Sequence, residues 1–130
     1  MEKMRKKILI VEDEIFLSNL LKTTLEKEGF EVVQVFSGKD VSKDFLVDEK
    51  IDLILLDLIL PDKNGFEILE EIKKDPLLSK IPIIVLSNLG QEEDILKAKK
   101  LGVKDYFVKA RESTEAIVEK IKKVLKVGKS

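Results

Sequence analysis

The chain has 130 residues and contains no cysteine and no histidine. Without cysteine there is no disulfide, no thiolate metal site and no cysteine nucleophile. Without histidine the commonest general base and the commonest zinc ligand are missing, and no phosphohistidine can form within the chain. Any chemistry must use carboxylates, hydroxyls, amines, backbone groups or a hard metal ion. An excess of one charge is also missing: 24 Lys and Arg stand against 25 Asp and Glu, a net of -1. That balance gives no reason to expect nucleic acid or an anionic membrane as the main partner. Long apolar runs are absent too. The basic start MEKMRKK leads into only four apolar residues, ILIV, short of the roughly 7–15 of a secretory core. No run approaches the ~18 that would span a bilayer. The expectation is a soluble, cytoplasmic protein.

What is present is a globular composition, 44% hydrophobic and 38% charged. The length suits one domain over residues 1–130, with a core at about 7–126, a basic lead and a frayed tail at Val127–Ser130. Five short apolar runs alternate with five helical patterns. Strands are expected at Lys7–Val11, Glu31–Phe36, Asp52–Asp57, Pro82–Leu86 and Asp105–Val108. Helices are expected at Glu14–Glu28, Lys39–Glu49, Phe66–Lys74, Gln91–Leu101 and from Ser113 to about Lys126. Gly29 and Gly102 mark helix ends, and Pro61 to Gly65 reads as a loop. Continuous apolar strands separated by single helices argue for a parallel α/β sheet covered on both faces.

Right-handed crossovers make all strands of such a sheet point the same way. Whatever follows each strand then lies along one edge. Strand one is followed by Glu12 and Asp13, strand three by Asp57, strand four by Ser87 and strand five by Lys109. Asp57 stands inside the run IDLILLDLILP. An unpaired carboxylate buried mid-strand would cost several kcal/mol, so the strand is expected to end there. Each residue alone fits a helix cap or a solvated charge. As a set, three crowded acids require cations, and Lys109 supplies one positive charge. A divalent ion would supply the rest. Oxygen-only ligands favour Mg²⁺, with Mn²⁺ or Ca²⁺ as alternatives. A carboxylate nucleophile beside a metal, an amine and a hydroxyl suggests phosphoryl chemistry.

These residues resemble the receiver domain of two-component response regulators, the CheY-like family. The resemblance covers Lys7 to about Lys126. It rests on Glu12-Asp13, Asp57, the P-x-x-N-G loop from Pro61 to Gly65, Ser87, and Tyr106 three residues before Lys109. It implies a doubly wound (βα)5 flavodoxin-like three-layer sandwich, strand order 2-1-3-4-5. It implies that Asp57 accepts a phosphoryl group from a histidine kinase or phosphotransfer protein. Asp13, Asp57 and the Ile59 carbonyl would hold Mg²⁺, with Glu12 holding a metal-bound water. Lys109 would pair with the phosphoryl group, and Ser87 and Tyr106 would act as the switch pair. A downstream protein, or a second copy in a phosphorylation-dependent dimer, would bind the face of helix 4, strand 5 and helix 5.

The chain departs from the family pattern in places. Ala110 follows Lys109 where the family usually has a cis-peptide proline, so that loop is either strained or trans. Asn88 follows Ser87 where a small residue is usual. Ile59 and Leu89 are apolar at positions flanking the hydrolytic water's path, which implies slow self-dephosphorylation. Three other functions compete. A degenerate receiver would act as an unphosphorylated interaction module, a reading that Ala110 and Asn88 leave open. An Asp-nucleophile Mg²⁺ phosphohydrolase would need D-x-D, and Ile59 stands where its second Asp would be. A nucleotide- or flavin-binding domain would meet repulsion from Glu12, Asp13 and Glu14. The expected protein is a signalling switch rather than a metabolic enzyme, without direct nucleic-acid or membrane contact.

Overall fold

The computed structural model describes residues 5–127. Its strands are β1 (Lys7–Val11), β2 (Glu31–Val35), β3 (Leu53–Leu56), β4 (Ile83–Ser87) and β5 (Asp105–Val108). They form one sheet in the order β2-β1-β3-β4-β5, and each pairing is parallel. Helices α1 (Ile15–Lys27), α2 (Lys43–Asp48), α3 (Gly65–Lys74), α4 (Glu92–Lys100) and α5 (Thr114–Leu125) alternate with the strands. The strand and helix pattern predicts this parallel sheet, and the family resemblance implies its flavodoxin-like strand order.

Successive side chains of a strand point to opposite faces, and here both faces are buried. Leu9, Val11, Ile54, Leu56, Ile83, Val85 and Tyr106 pack against Leu46 of α2, Ile68 and Leu69 of α3 and Ala98 of α4. Ile8, Ile10, Leu53, Leu55, Ile84, Leu86 and Phe107 pack against Leu21 and Leu25 of α1 and Ile117 and Ile121 of α5. Each aliphatic side chain so buried contributes about 1.5–3 kcal/mol. That density fixes where β1, β3 and β4 end, and therefore where the residues after them are held.

Two sequence expectations need correction. The helix expected over Lys39–Glu49 is broken. A 3₁₀ turn covers Gly38–Asp40, Val41 is extended, and α2 begins only at Lys43. Val41 is 8% exposed. Its extended backbone lets that side chain drop into the core, and Ser42 restarts the helix by accepting a hydrogen bond from the Phe45 N–H at 3.1 Å. The tail is the other correction. Lys126 takes a left-handed conformation, the Val127 N–H donates to the Lys122 carbonyl at 3.0 Å, and Val127 packs on the α1–α5 side of the core. Val127 therefore closes α5 instead of fraying. Residues 128–130, like 1–4 of the basic lead, lie outside the described residues.

Candidate functional site

Strand register builds the site. Val11 of β1 stands between Val35 of β2 and Leu56 of β3. One residue on, the Glu12 N–H donates to the Val35 carbonyl at 3.1 Å and the Asp57 N–H donates to the Val11 carbonyl at 3.0 Å. Glu12 and Asp57 therefore leave the sheet at the same level on neighbouring strands. Both are buried, at 2% and 3% exposure. Lys109, just past β5, reaches back to them. Its Nζ lies 2.9 Å from Asp57 Oδ2, 2.9 Å from Glu12 Oε1 and 3.0 Å from Glu12 Oε2. The backbone completes the set: the Ile59 N–H donates to Asp57 Oδ1 at 3.0 Å, and the Glu14 N–H donates to Glu12 Oε2 at 3.0 Å.

The electrostatics follow from burial and crowding. Burial opposes the charge on Lys109, but hydrogen bonds to Glu12 and Asp57 outweigh it and hold the ammonium above its ordinary pKa. Burial raises Glu12, and the Asp57 charge adds to this. The Lys109 contact and the Glu14 N–H offset part of the rise. Asp13 stands exposed beside this trio. One carboxylate oxygen each from Glu12, Asp13 and Asp57 lie within 4.8 Å of one another. Three carboxylates, no nitrogen or sulfur donor and an open side suit a hard divalent cation that keeps several waters. The open side is a cleft of about 320 Å³ lined by Asp13, Glu14, Asp57, Ile59, Asn88 and Lys109.

Ser87 and Tyr106 are placed differently. Ser87 is the last residue of β4, fully buried, and does not line the cleft. Its Oγ accepts from the Leu89 N–H at 3.3 Å. The Tyr106 O–H donates to the Leu89 carbonyl at 2.6 Å, from a ring 9% exposed. Leu89 is thus tied to both side chains. Burial pushes the Tyr106 phenol up to about 12, with the Asp94 and Asp57 charges adding to the shift. The Lys109–Ala110 peptide is trans, and Lys109 still reaches Asp57. Asn88 is exposed and lines the cleft, so its amide borders the space beside Asp57.

Two features escaped sequence reasoning. Glu14, expected to start a helix and to repel a nucleotide phosphate but not to meet Lys109, has Oε1 3.5 Å from Lys109 Nζ. Gly65, expected as a loop breaker, is required by close approach. A Cβ there would collide with the Leu58 Cα and lie 2.8 Å from the Asp57 carbonyl oxygen. The start of α3 is therefore pressed directly onto the exit of β3.

A sequence model of the response regulator receiver domain matches residues 8–122. The chain belongs to the response regulator receiver domain family. This receiver domain is 36% identical over 126 residues to the phosphate regulon transcriptional regulatory protein PhoB of Rhizobium meliloti (strain 1021), a match covering 97% of the chain and 55% of that protein. It spans about half the length of the curated relatives it matches. Among solved structures it resembles the Mn²⁺-bound form of response regulator Rcp1, at 32% identity and TM-score 0.80, covering 96% of this chain and 97% of that one. It also resembles the phosphorylated cyanobacterial phytochrome response regulator RcpA, at 34% identity and TM-score 0.78, with 97% of each chain covered. Receiver domains are signalling domains rather than metabolic enzymes. Among the described residues no helix is long and apolar enough to cross a membrane.

Proposed function

We propose that this receiver domain is a phosphorylation-driven switch in which Asp57 accepts a phosphoryl group from the phosphohistidine of a histidine kinase or phosphotransfer protein. The observation that carries this is the buried Glu12–Asp57–Lys109 set beside Asp13 at an open cleft. The Mn²⁺-bound and phosphorylated relatives support it. The residues fit Mg²⁺: Asp13, Asp57 and the Ile59 carbonyl would hold it, with Glu12 engaging one of its waters. A divalent ion there would neutralise charge on the phosphoryl oxygens.

The rest falls to the chain. An Asp57 carboxylate oxygen attacks phosphorus and an acyl phosphate forms. The P–N bond to the donor imidazole breaks, its electron pair stays on that nitrogen, and the imidazole takes up a proton. Lys109 turns from the Asp57 carboxylate to the new phosphoryl oxygens. The Ser87 hydroxyl, now accepting from Leu89, rotates to donate to one of them. Because Tyr106 holds the carbonyl of the same Leu89, that rearrangement passes to β5 and the α4–β5–α5 face, where a protein target or a second copy binds. Ile59 is half-exposed at the cleft and Leu89 flanks the switch pair. Neither can orient a hydrolytic water, so the acyl phosphate persists.

The test is incubation with Mg²⁺ and acetyl phosphate, followed by intact mass and hydroxylamine treatment. One phosphoryl group per chain, hydroxylamine-labile and abolished by Asp57→Asn, is expected. No adduct would favour an unphosphorylated interaction module, and sustained turnover of the donor would favour a phosphohydrolase. Decay of the adduct within seconds, without added phosphatase, would contradict the role given to Ile59 and Leu89.

A further inference from the structure

The segment 59–63 carries Ile59 to the edge of the candidate site. Its ends are fixed. The Gly65 N–H donates to the Leu58 carbonyl at 2.9 Å, and Asn64 caps α3 by accepting from the Phe66 N–H at 2.8 Å. Between those ends, Pro61 and Asp62 are exposed. What anchors the middle comes from across the fold. Asp62 Oδ2 accepts from the Ser37 hydroxyl at 2.7 Å and from the Lys39 N–H at 2.8 Å, and Oδ1 accepts from the Gly38 N–H at 2.9 Å. All three donors lie in the turn after β2, more than twenty residues away in sequence. The Asp62 carboxyl is correspondingly held down at about 2, by the Ser37 hydroxyl first, against partial desolvation, with the two backbone donors adding to it.

A second observation is independent of that carboxylate. The turn lies so close to the segment that a Cβ on Gly38 would stand 2.9 Å from Lys63 Cβ, 3.0 Å from Ile68 Cδ1 and 3.3 Å from Leu60 Cδ1. Contacts that short leave no room for a side chain. Hydrogen bonds and packing thus clasp the turn after β2 to the segment after β3.

We propose that Asp62 is a positioning residue for the phosphoryl site: by clasping the turn at Ser37–Lys39 it holds segment 59–63 so that Ile59 stays beside Asp57. This rests on the phosphoryl-acceptor reading above. The plain alternative is that Asp62 only caps the 3₁₀ turn, whose own N-cap Ser37 makes no side-chain capping bond. A cap would affect the turn and general stability. A clasp also affects the Ile59 N–H, which donates to Asp57 Oδ1.

The experiment is amide hydrogen exchange by NMR on metal-free protein, followed by a Mg²⁺ titration, for the native chain, Asp62→Ala, Asp62→Asn, Ser37→Ala and Gly38→Ala. In Asp62→Ala the Ile59 amide should exchange roughly tenfold faster relative to core amides such as Leu55, the scale of losing a charge-assisted hydrogen bond. Its Mg²⁺ dissociation constant should rise about tenfold, as when outer-shell support of a metal site is removed. Acyl-phosphate formation should slow at low Mg²⁺ and recover at saturating Mg²⁺. Asp62→Asn, which keeps one acceptor, should fall between. Ser37→Ala should add nothing to Asp62→Ala, and Gly38→Ala should speed Ile59 exchange without touching a carboxylate. Ile59 exchange that rises no more than core exchange in Asp62→Ala overturns the proposal. Faster exchange with unchanged Mg²⁺ affinity overturns the functional role. If the native chain binds no Mg²⁺ and takes no phosphoryl group, the phosphoryl reading fails. The clasp is then decided by the exchange data alone.

Discussion

Where the strands begin, charge is shared out in exposed or half-exposed groups. Lys7 Nζ lies 3.3 Å from Glu49 and 4.0 Å from Glu31. Asp105 lies between Lys99 at 3.8 Å and Lys120 at 3.6 Å, and Lys122 pairs with Glu28. Where the strands end, buried Glu12 and Asp57 share one ammonium while Asp13 stands beside them. The first edge has cations to match its acids. The second is short of positive charge, and that deficit suits the divalent cation proposed for it. Exposed pairs each contribute little, whereas removing one partner from a buried set leaves charge uncompensated.

The sharpest way to break this contrast is Lys109→Met. It leaves buried Glu12 and Asp57 facing each other, so unfolding free energy should fall by about 3 kcal/mol without metal. Mg²⁺ should restore part of that loss by binding the folded chain alone. Urea melts with and without Mg²⁺ measure both effects. A loss no larger than that of an exposed pair would erase the distinction between the two edges. Next in size is Gly65→Ala. A Cβ against Leu58 and the Asp57 carbonyl oxygen must push α3 from β3, costing about 1–3 kcal/mol as overpacking does. Acyl-phosphate formation should fall more steeply than stability, because the displaced backbone carries Asp57.

How much of this edge was legible depended on distance along the chain. The apolar runs fixed the sheet, and the residues following each run fixed who would meet there, because parallel strands order their ends. Asp57, Glu12 and Lys109 were legible for that reason. The reach of Lys109 was not endangered by Ala110, but only the trans loop and the 2.9 Å contact show it. The break before α2 was missed because Val41 fits a helical face as well as an extended drop into the core. Gly65 looked like a turn residue because its close approach to Leu58 is tertiary. Asp62 carried no signal at all: its three donors lie in another loop. Tyr106 was placed on its strand, but its hydrogen bond to Leu89 depends on how two strand exits pack.

That hydrogen bond offers a smaller, optical test. Tyr106 is the only tyrosine, so ultraviolet titration reports it alone. Its phenol is raised from 10.0 to about 12. A pKa raised on folding stabilises fully below the unfolded value, and that contribution is lost as pH rises through the folded one. Stability should therefore decline between pH 10 and about 12, and Tyr106→Phe should remove that part of the decline. Asp57→Asn should lower the phenol's midpoint, since the Asp57 charge contributes to it. An unchanged midpoint would disconnect the acidic edge from β5.

The smallest effect belongs to the opposite edge. Glu49→Gln removes a partner 40% exposed, while Lys7 keeps Glu31 at 4.0 Å. The expected loss is about 0.5 kcal/mol, shrinking as salt is added. Mg²⁺ affinity should not change, because the substitution sits where the strands begin and the candidate ligands sit where they end. A change in Mg²⁺ affinity would mean that the two edges share one electrostatic balance across the sheet. The separation drawn between them would then be wrong.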